Sequence, residues 1–263
     1  VLLLSAPLVE GRYQLVGRSG ETIGLRDLDG RPLDQRRDGS QNDLVLEFEI
    51  DLTAPVVSQV GAGYALNFDG NNDYVALPAA ALNGLENLTI EFWFKTGLDR
   101  FQTIVSGARG GMDNEILIGL AGKTVSLYRG TQNTNVAWSV PALSDNQWHY
   151  AGVIMDGAGD RAMLVLDGEL MGWRSAPLEP ISIAEGGFVI GQDQDSVGGG
   201  FDPNESFVGQ LAEFRLWSVA RDPSDVAADM RRVPESGADG LAGYWRFNEG
   251  SGLTAFDLSG GER

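Results

Sequence analysis

At 263 residues with 43% hydrophobic residues, the chain is long enough for one large domain and a smaller companion, and no stretch approaches the roughly 18 to 20 apolar residues of a membrane-spanning helix. A formal net charge of -18 repels nucleic acid and anionic membrane surfaces and favours cations as partners. Zero cysteines exclude a disulfide framework and thiolate metal sites, and His149 as the only histidine argues against a zinc cluster and a Ser-His-Asp triad.

The chain opens on Val1 rather than Met and reads as part of a longer protein; its apolar start lacks the basic flank and cleavage pattern of a signal peptide. Glycines and prolines scattered between short apolar runs predict an all-β protein with many turns. Residues 1–55 read as a small β unit. Its strands are 12–16 and 44–50, the second placing Leu44, Leu46, Phe48 and Ile50 on one face. Being about half the length of an immunoglobulin-like sandwich, it is expected to be a partial Ig-like β module, similar to the spacer modules of large bacterial surface proteins. Pro55 ends it, and residues 56–63 are the expected linker.

The large domain is placed at 64–263. Its clearest signal is the alternation over 88–95, where Leu88, Ile90, Phe92 and Phe94 point one way and Thr89, Glu91, Trp93 and Lys95 the other. Further strands are expected at 64–69, 74–77, 103–106, 115–120, 124–128, 148–155, 162–166, 188–190, 212–217 and 243–247, with Asp167-Gly168 making a tight hairpin turn. Such spacing predicts a two-sheet antiparallel jelly-roll sandwich. One short helix is expected after Asp222, with Pro223 at its first position and Arg231 and Arg232 at its end.

Two segments offer chemistry. One is Asp113-Asn114; the other is the loop 191–206, with Asp193, Asp195, Asp202 and Glu205 among small residues. A hard cation such as calcium takes roughly six to eight oxygen donors, and both segments supply oxygen. Asp193 and Asp195 converge on one ion only if the loop bends, and Gly198 to Gly200 let it fold back to bring Asp202 and Glu205 alongside. A simply solvated acidic loop is the plainer alternative. Residues 26–43, with Asp27, Asp29, Asp34, Asp38 and Asp43, are a second acidic stretch, read as a solvated loop rather than a further calcium site.

The run Gly191-Gln-Asp-Gln-Asp-Ser-Val-Gly-Gly-Gly-Phe201 followed by Phe207-Val-Gly resembles the calcium loop of the pentraxins, and Asp113-Asn-Glu-Ile-Leu-Ile118 resembles their other ligand segment. The likeness covers roughly 64–257; residues 65–75 and 243–252 are also similar to bacterial laminin-G-like (concanavalin A-like) jelly rolls. The resemblance implies two adjacent calcium ions. The first would be held by Asp113, Asn114, Asp193, the backbone carbonyl of Gln194 and Asp195. The second would share Asp193 and Asp195 and add Asp202 and Glu205. Asp193 and Asp202 stand where the animal proteins carry glutamate, and Glu205 where they carry glutamine. The resemblance also puts Glu91 and Ala151 at the positions of the family's core disulfide, and Gly119 where an aromatic ring meets phosphocholine. That ligand is therefore disfavoured unless Tyr128 or Trp138 lines the site from another strand.

The resemblance implies a calcium-dependent, lectin-like or adhesive module of a secreted or surface protein, not an enzyme. It would bind a saccharide or a zwitterionic or phospho-ligand on a cell or matrix surface. The alternative is a calcium-rigidified structural spacer of a large adhesin. A glycoside hydrolase is a distant third, because Glu49-Ile-Asp51 is followed by Thr53 where a third acid is needed, and by Pro55. His149, beside Trp148 on a strand, is read as structural.

Overall fold

The computed structural model describes residues 11–17, 44–50, 58–60, 63–110, 112–130 and 133–260; for 11–17, 44–50, 58–60, 63, 112 and 113 it describes the backbone alone. The acidic stretch 26–43 and Asp51 lie outside the described residues. The chain divides into two compact units, Val1–Thr53 and Ala54–Arg263. In the first, β1 (Gly11–Gly17) pairs antiparallel with β2 (Leu44–Ile50), Gly11 opposite Ile50.

The second unit opens with β3 (Ser58–Val60), β4 (Gly63–Asp69), β5 (Val75–Leu77), β6 (Asn87–Lys95), β7 (Phe101–Arg109), β8 (Met112–Ala121), β9 (Thr124–Arg129) and β10 (Thr134–Ser139). It continues through β11 (His149–Asp156), β12 (Arg161–Leu166), β13 (Glu169–Ser175), β14 (Phe188–Ile190), β15 (Val208–Trp217), α1 (Pro223–Asp229) and β16 (Leu241–Trp245). Two antiparallel sheets form. One has the order β10-β9-β8-β7-β14-β5; the other runs β13-β12-β11-β6-β15-β4-β3, with β16 paired to the second half of β15. This is the jelly-roll sandwich that the patterning predicts. The pairing of β3 with β4 turns part of the stretch read as a linker into a sheet edge.

The alternation over 88–95 is realised in β6. Leu88, Ile90, Phe92 and Phe94 enter the core between the sheets, where Ile116, Ile118, Leu127, Phe188 and Phe214 join them. Removal of that much apolar side chain from water is the main force holding the sheets together. The opposite face of β6 is buried as well, which patterning alone does not reveal. Thr89 and Glu91 are fully covered, because α1 and the segment after it cross the outside of this sheet.

The helix begins as expected: Asp222 accepts a hydrogen bond from the Ser224 N–H (2.8 Å), and Pro223 occupies the first position. It stops at Asp229, so Arg231 and Arg232 lie beyond its last turn rather than in it. Val226 packs where Gly152 leaves room, since a β-carbon there would stand 2.5 Å from Val226 Cγ1.

Glu91 sits in this layer as an ionic hub. Its carboxylate meets Arg221 Nη1 at 2.7 Å and Arg215 Nη1 at 3.3 Å, and Arg221 Nη2 reaches Asp229 at 2.8 Å. The positions at which the resemblance expects a disulfide face opposite sides of the sheet. Glu91 stands across from Gly152 under the helix layer, whereas Ala151 stands across from Phe92 in the core.

His149 joins two loops. Its Nδ1 lies 2.8 Å from Asp167 and its Nε2 3.1 Å from Asp145, which agrees with a structural role. Burial lowers its proton affinity, but the two carboxylates outweigh burial and the net value is raised. Asp145 and Asp167 are the charged groups bonded to it. A histidine raised on folding stabilises the native state fully below its unfolded pKa of about 6.5, and that contribution is lost as pH rises through the folded value. Thermal melts should therefore fall between about pH 6 and pH 8 by more in the wild type than in His149→Asn. Equal pH slopes for the two proteins would refute the assignment.

Candidate functional site

Where β14 ends at Ile190 the chain leaves the sheet and doubles back over β14 and β7 before β15 begins. Two buried glutamines pin this loop. The Gln192 amide donates to the carbonyls of Asp73 (3.0 Å) and Asn71 (3.3 Å), while its Oε1 accepts from Ser206 Oγ (2.5 Å). The Gln194 amide donates to Ser106 Oγ (2.6 Å) and the Gly187 carbonyl (3.1 Å), and its Oε1 accepts from the Gly198 N–H (2.8 Å). With its side chain so engaged, the carbonyl is what Gln194 has left to offer a ligand.

The tip closes through reciprocal backbone bonds between Ser196 and Gly199 at 3.1 and 3.0 Å. The chain then turns at Gly200, whose φ of +69° and close packing on Asp195 (a β-carbon would lie 2.8 Å from Asp195 Cβ) both exclude a side chain. The return limb is tied to β7, where the Thr103 N–H donates to the Glu205 carbonyl at 2.7 Å. Arg100 clamps the same limb, Nη2 donating to the Pro203 carbonyl at 2.9 Å and Nη1 to those of Phe101 and Asn204.

This folding brings the Glu205 carboxyl within reach of three other acids. The Glu205 carboxyl is pushed up to about 7, first by a hydrogen bond with Asp193, then by burial and by the negative charges of Asp193, Asp202 and Asp195. Asp193 is only 6% exposed, Asp202 and Glu205 are half-buried, and Asp195 is exposed. Asp202 also caps its own turn, Oδ1 accepting from the Asn204 N–H at 2.8 Å.

Asp113 and Asn114 both fall at the start of β8; the Asp113 side chain lies outside the described residues. β8 is held there by Arg129, which donates to the Glu115 carboxylate and carbonyl, each at 3.2 Å. The anchors of Gln194, Ser106 and Gly187, lie beside the β7–β8 turn that Asn114 follows.

Among the described residues, four buried side-chain oxygens lack a hydrogen-bond partner: Thr103 Oγ1, Asn114 Oδ1, Asp193 Oδ1 and the Tyr150 hydroxyl. Three of them belong to the loop, the strand it is tied to, or the start of β8. Each such atom costs about 1–3 kcal/mol unless something answers it. A hard cation would answer oxygens of this kind, and the donors at hand are carboxylates, one amide and backbone carbonyls. Among the described residues no three His, Asp or Glu side chains are already gathered at metal-binding spacing.

Gln192, Arg100 and Phe101 carry no local signal: residues 191–194 are all buried and lie outside any strand. The Phe101 ring lies against Gly119, where a β-carbon would stand 2.6 Å from its Cε2. Gly119 is thus covered by an aromatic residue from the neighbouring strand. Trp138 does not line this face: it is fully buried, with Nε1 donating to the Gly172 carbonyl at 2.9 Å. Tyr128 is half-buried opposite Leu117 on β8. Glu49 belongs to β2 in the first unit.

Residues 65–233 match the profile of the Pentaxin family. Human Pentraxin-4 is 33% identical over 176 residues, which is 64% of this chain and 36% of that protein, so the chain spans about a third of this relative. Among solved structures, a heptameric SAP-like pentraxin from Limulus polyphemus superposes with a TM-score of 0.58 at 21% identity, covering 73% of this chain and 90% of that one. A putative carbohydrate binding protein from Bacteroides ovatus gives a TM-score of 0.58 at 19% identity, covering 96% of this chain and 66% of that one. At such identities the two structures show a shared fold.

Proposed function

This chain belongs to the pentaxin family, and from that premise we propose that its second unit is a calcium-dependent, lectin-like binding module of an extracellular protein. The observation that carries the reading is the pair of buried, partnerless oxygens on Asn114 and Asp193, set beside a loop that holds Asp195, Asp202 and Glu205 as well. Two calcium ions would be held there. Asp113, Asn114, Asp193, the Gln194 carbonyl and Asp195 would hold one, and Asp193, Asp195, Asp202 and Glu205 the other. Millimolar calcium outside cells suits a site made wholly of oxygen donors.

The bound ions supply positive charge to which the oxygens of a ligand can turn. This chain's own residues do the rest. Gln192, Gln194 and Arg100 fix the loop on β7, and Gly200 lets Asp202 and Glu205 return toward Asp193. Five carboxylates against two divalent ions leave the occupied site slightly negative. A dianionic phosphate is then less welcome than the vicinal hydroxyls of a neutral sugar or a zwitterion. Binding, and not catalysis, is the work proposed.

A panel of immobilised glycans and phospho-ligands, screened in millimolar calcium and again in chelator, tests this. Retention that needs calcium is expected, strongest for neutral glycans. Calcium binding with no retained ligand would favour the rigidified spacer, and hydrolysis of a polysaccharide would revive the enzyme.

A further inference from the structure

We propose that Tyr74 and Phe201 form an aromatic wall beside the acidic loop, against which the ring of a neutral saccharide stacks. The inference rests on the calcium reading above and adds to it the residues that would select the ligand.

Phe201 stands within the loop itself, between Gly200, which packs on Asp195, and Asp202. Asp202 follows it directly, and Asp195 lies against the glycine before it. Its half-buried ring meets that of Tyr74, with centroids 5.0 Å apart and planes inclined at 51°. Tyr74 is 44% exposed, whereas Phe68, Phe92, Phe94, Phe188, Phe207 and Phe214 are buried to within 1%. The turn that carries Tyr74 is fixed to the root of the loop, because Gln192 binds the carbonyls of Asn71 and Asp73 and the Asp73 carboxylate accepts from the Asp69 N–H at 2.8 Å.

A clasp that merely buckles the two loops together would be redundant. Gln192 already joins them, and the Phe207 N–H closes the loop onto the Gly191 carbonyl at 2.9 Å. What the pair adds is open aromatic surface at the edge of a polar site. That combination of apolar faces with a few directed polar groups is how small-ligand sites obtain both area and orientation. The C–H face of a pyranose covers such rings while its hydroxyls remain free for the loop. A quaternary ammonium would also suit the rings, and the phosphocholine arm of the test separates it from a sugar.

The full chain, Tyr74→Ala, Phe201→Ala and the aromatic replacements Tyr74→Phe and Phe201→Trp should be compared by two measurements. Calcium affinity is read by calorimetric titration; retention in calcium is read on agarose, mannan and phosphocholine-albumin. Each alanine variant should lose roughly tenfold in neutral-glycan affinity while its calcium affinity stays within about twofold, and both aromatic variants should retain binding. A parallel fall in calcium affinity would identify the pair as a clasp and overturn the proposal. So would unchanged glycan retention in the alanine variants, or an effect confined to phosphocholine. A wild type that binds calcium but neither agarose nor mannan overturns the wall and leaves the metal site standing. A wild type that binds no calcium overturns the premise instead.

Discussion

Replacing Asp193 by alanine should abolish the rise in thermal stability that calcium gives the wild type, while costing no stability in chelator. Asp193 is shared between the two proposed ions, is almost wholly buried, and has one oxygen with no partner. In chelator it is a liability, because its charge and hydrogen bond help push the Glu205 carboxyl up to about 7. The alanine variant should then melt no lower than the wild type. In calcium at about 100 times its dissociation constant the wild type gains about 2.7 kcal/mol for each ion, so about 5 kcal/mol for two independent ions, which is roughly 10–20 °C for a unit of this size. Differential scanning calorimetry of both proteins in calcium and in chelator decides the matter. A variant that still rises with calcium, or one that melts far below the wild type in chelator, would contradict this role.

The second large effect lies far from the loop. Glu91→Ala removes the carboxylate that faces Arg215 and Arg221, and it leaves the Arg215 guanidinium, only 2% exposed, without that partner. Breaking a buried pair from one side costs about 3–5 kcal/mol, far more than losing an exposed one. Glu91→Leu combined with Arg215→Met should recover much of that loss, since a buried ion pair is often matched by apolar residues of similar volume. Because α1 and Trp217 pack on this layer, with Arg221 over the Trp217 ring at 4.3 Å, the single variant should also loosen the helix. Chemical denaturation measures the cost. A loss below about 1 kcal/mol would show the cluster to be solvated in the native state.

Period-two patterning made the strands that line the core legible. β6 declares itself through Leu88, Ile90, Phe92 and Phe94, and α1 through Asp222 and Pro223. β10 and β13 escaped the reading because their exposed residues, Asn135 and Ala137 in one and Glu169 and Leu170 in the other, dilute the apolar alternation. The burial of Glu91 was invisible for a different reason. It depends on Arg215 and Arg221, more than a hundred residues away, and a single sequence prints no such pairing. The acidic loop was legible as composition, and its bend as Gly198 to Gly200. Its fastening was not legible: Gln192 and Gln194 lie in a bend where neighbouring residues are buried alike, Arg100 reaches the loop from before β7, and Phe101 reaches Gly119 across a strand pair.

The most direct test of the metal site is an anomalous difference map from crystals grown in calcium. The account predicts two neighbouring peaks, with Asn114 Oδ1 on the first and Asp193 bridging both. A map without peaks at this loop, or one whose ions contact the 193–205 loop while Asn114 stays apart, would contradict it.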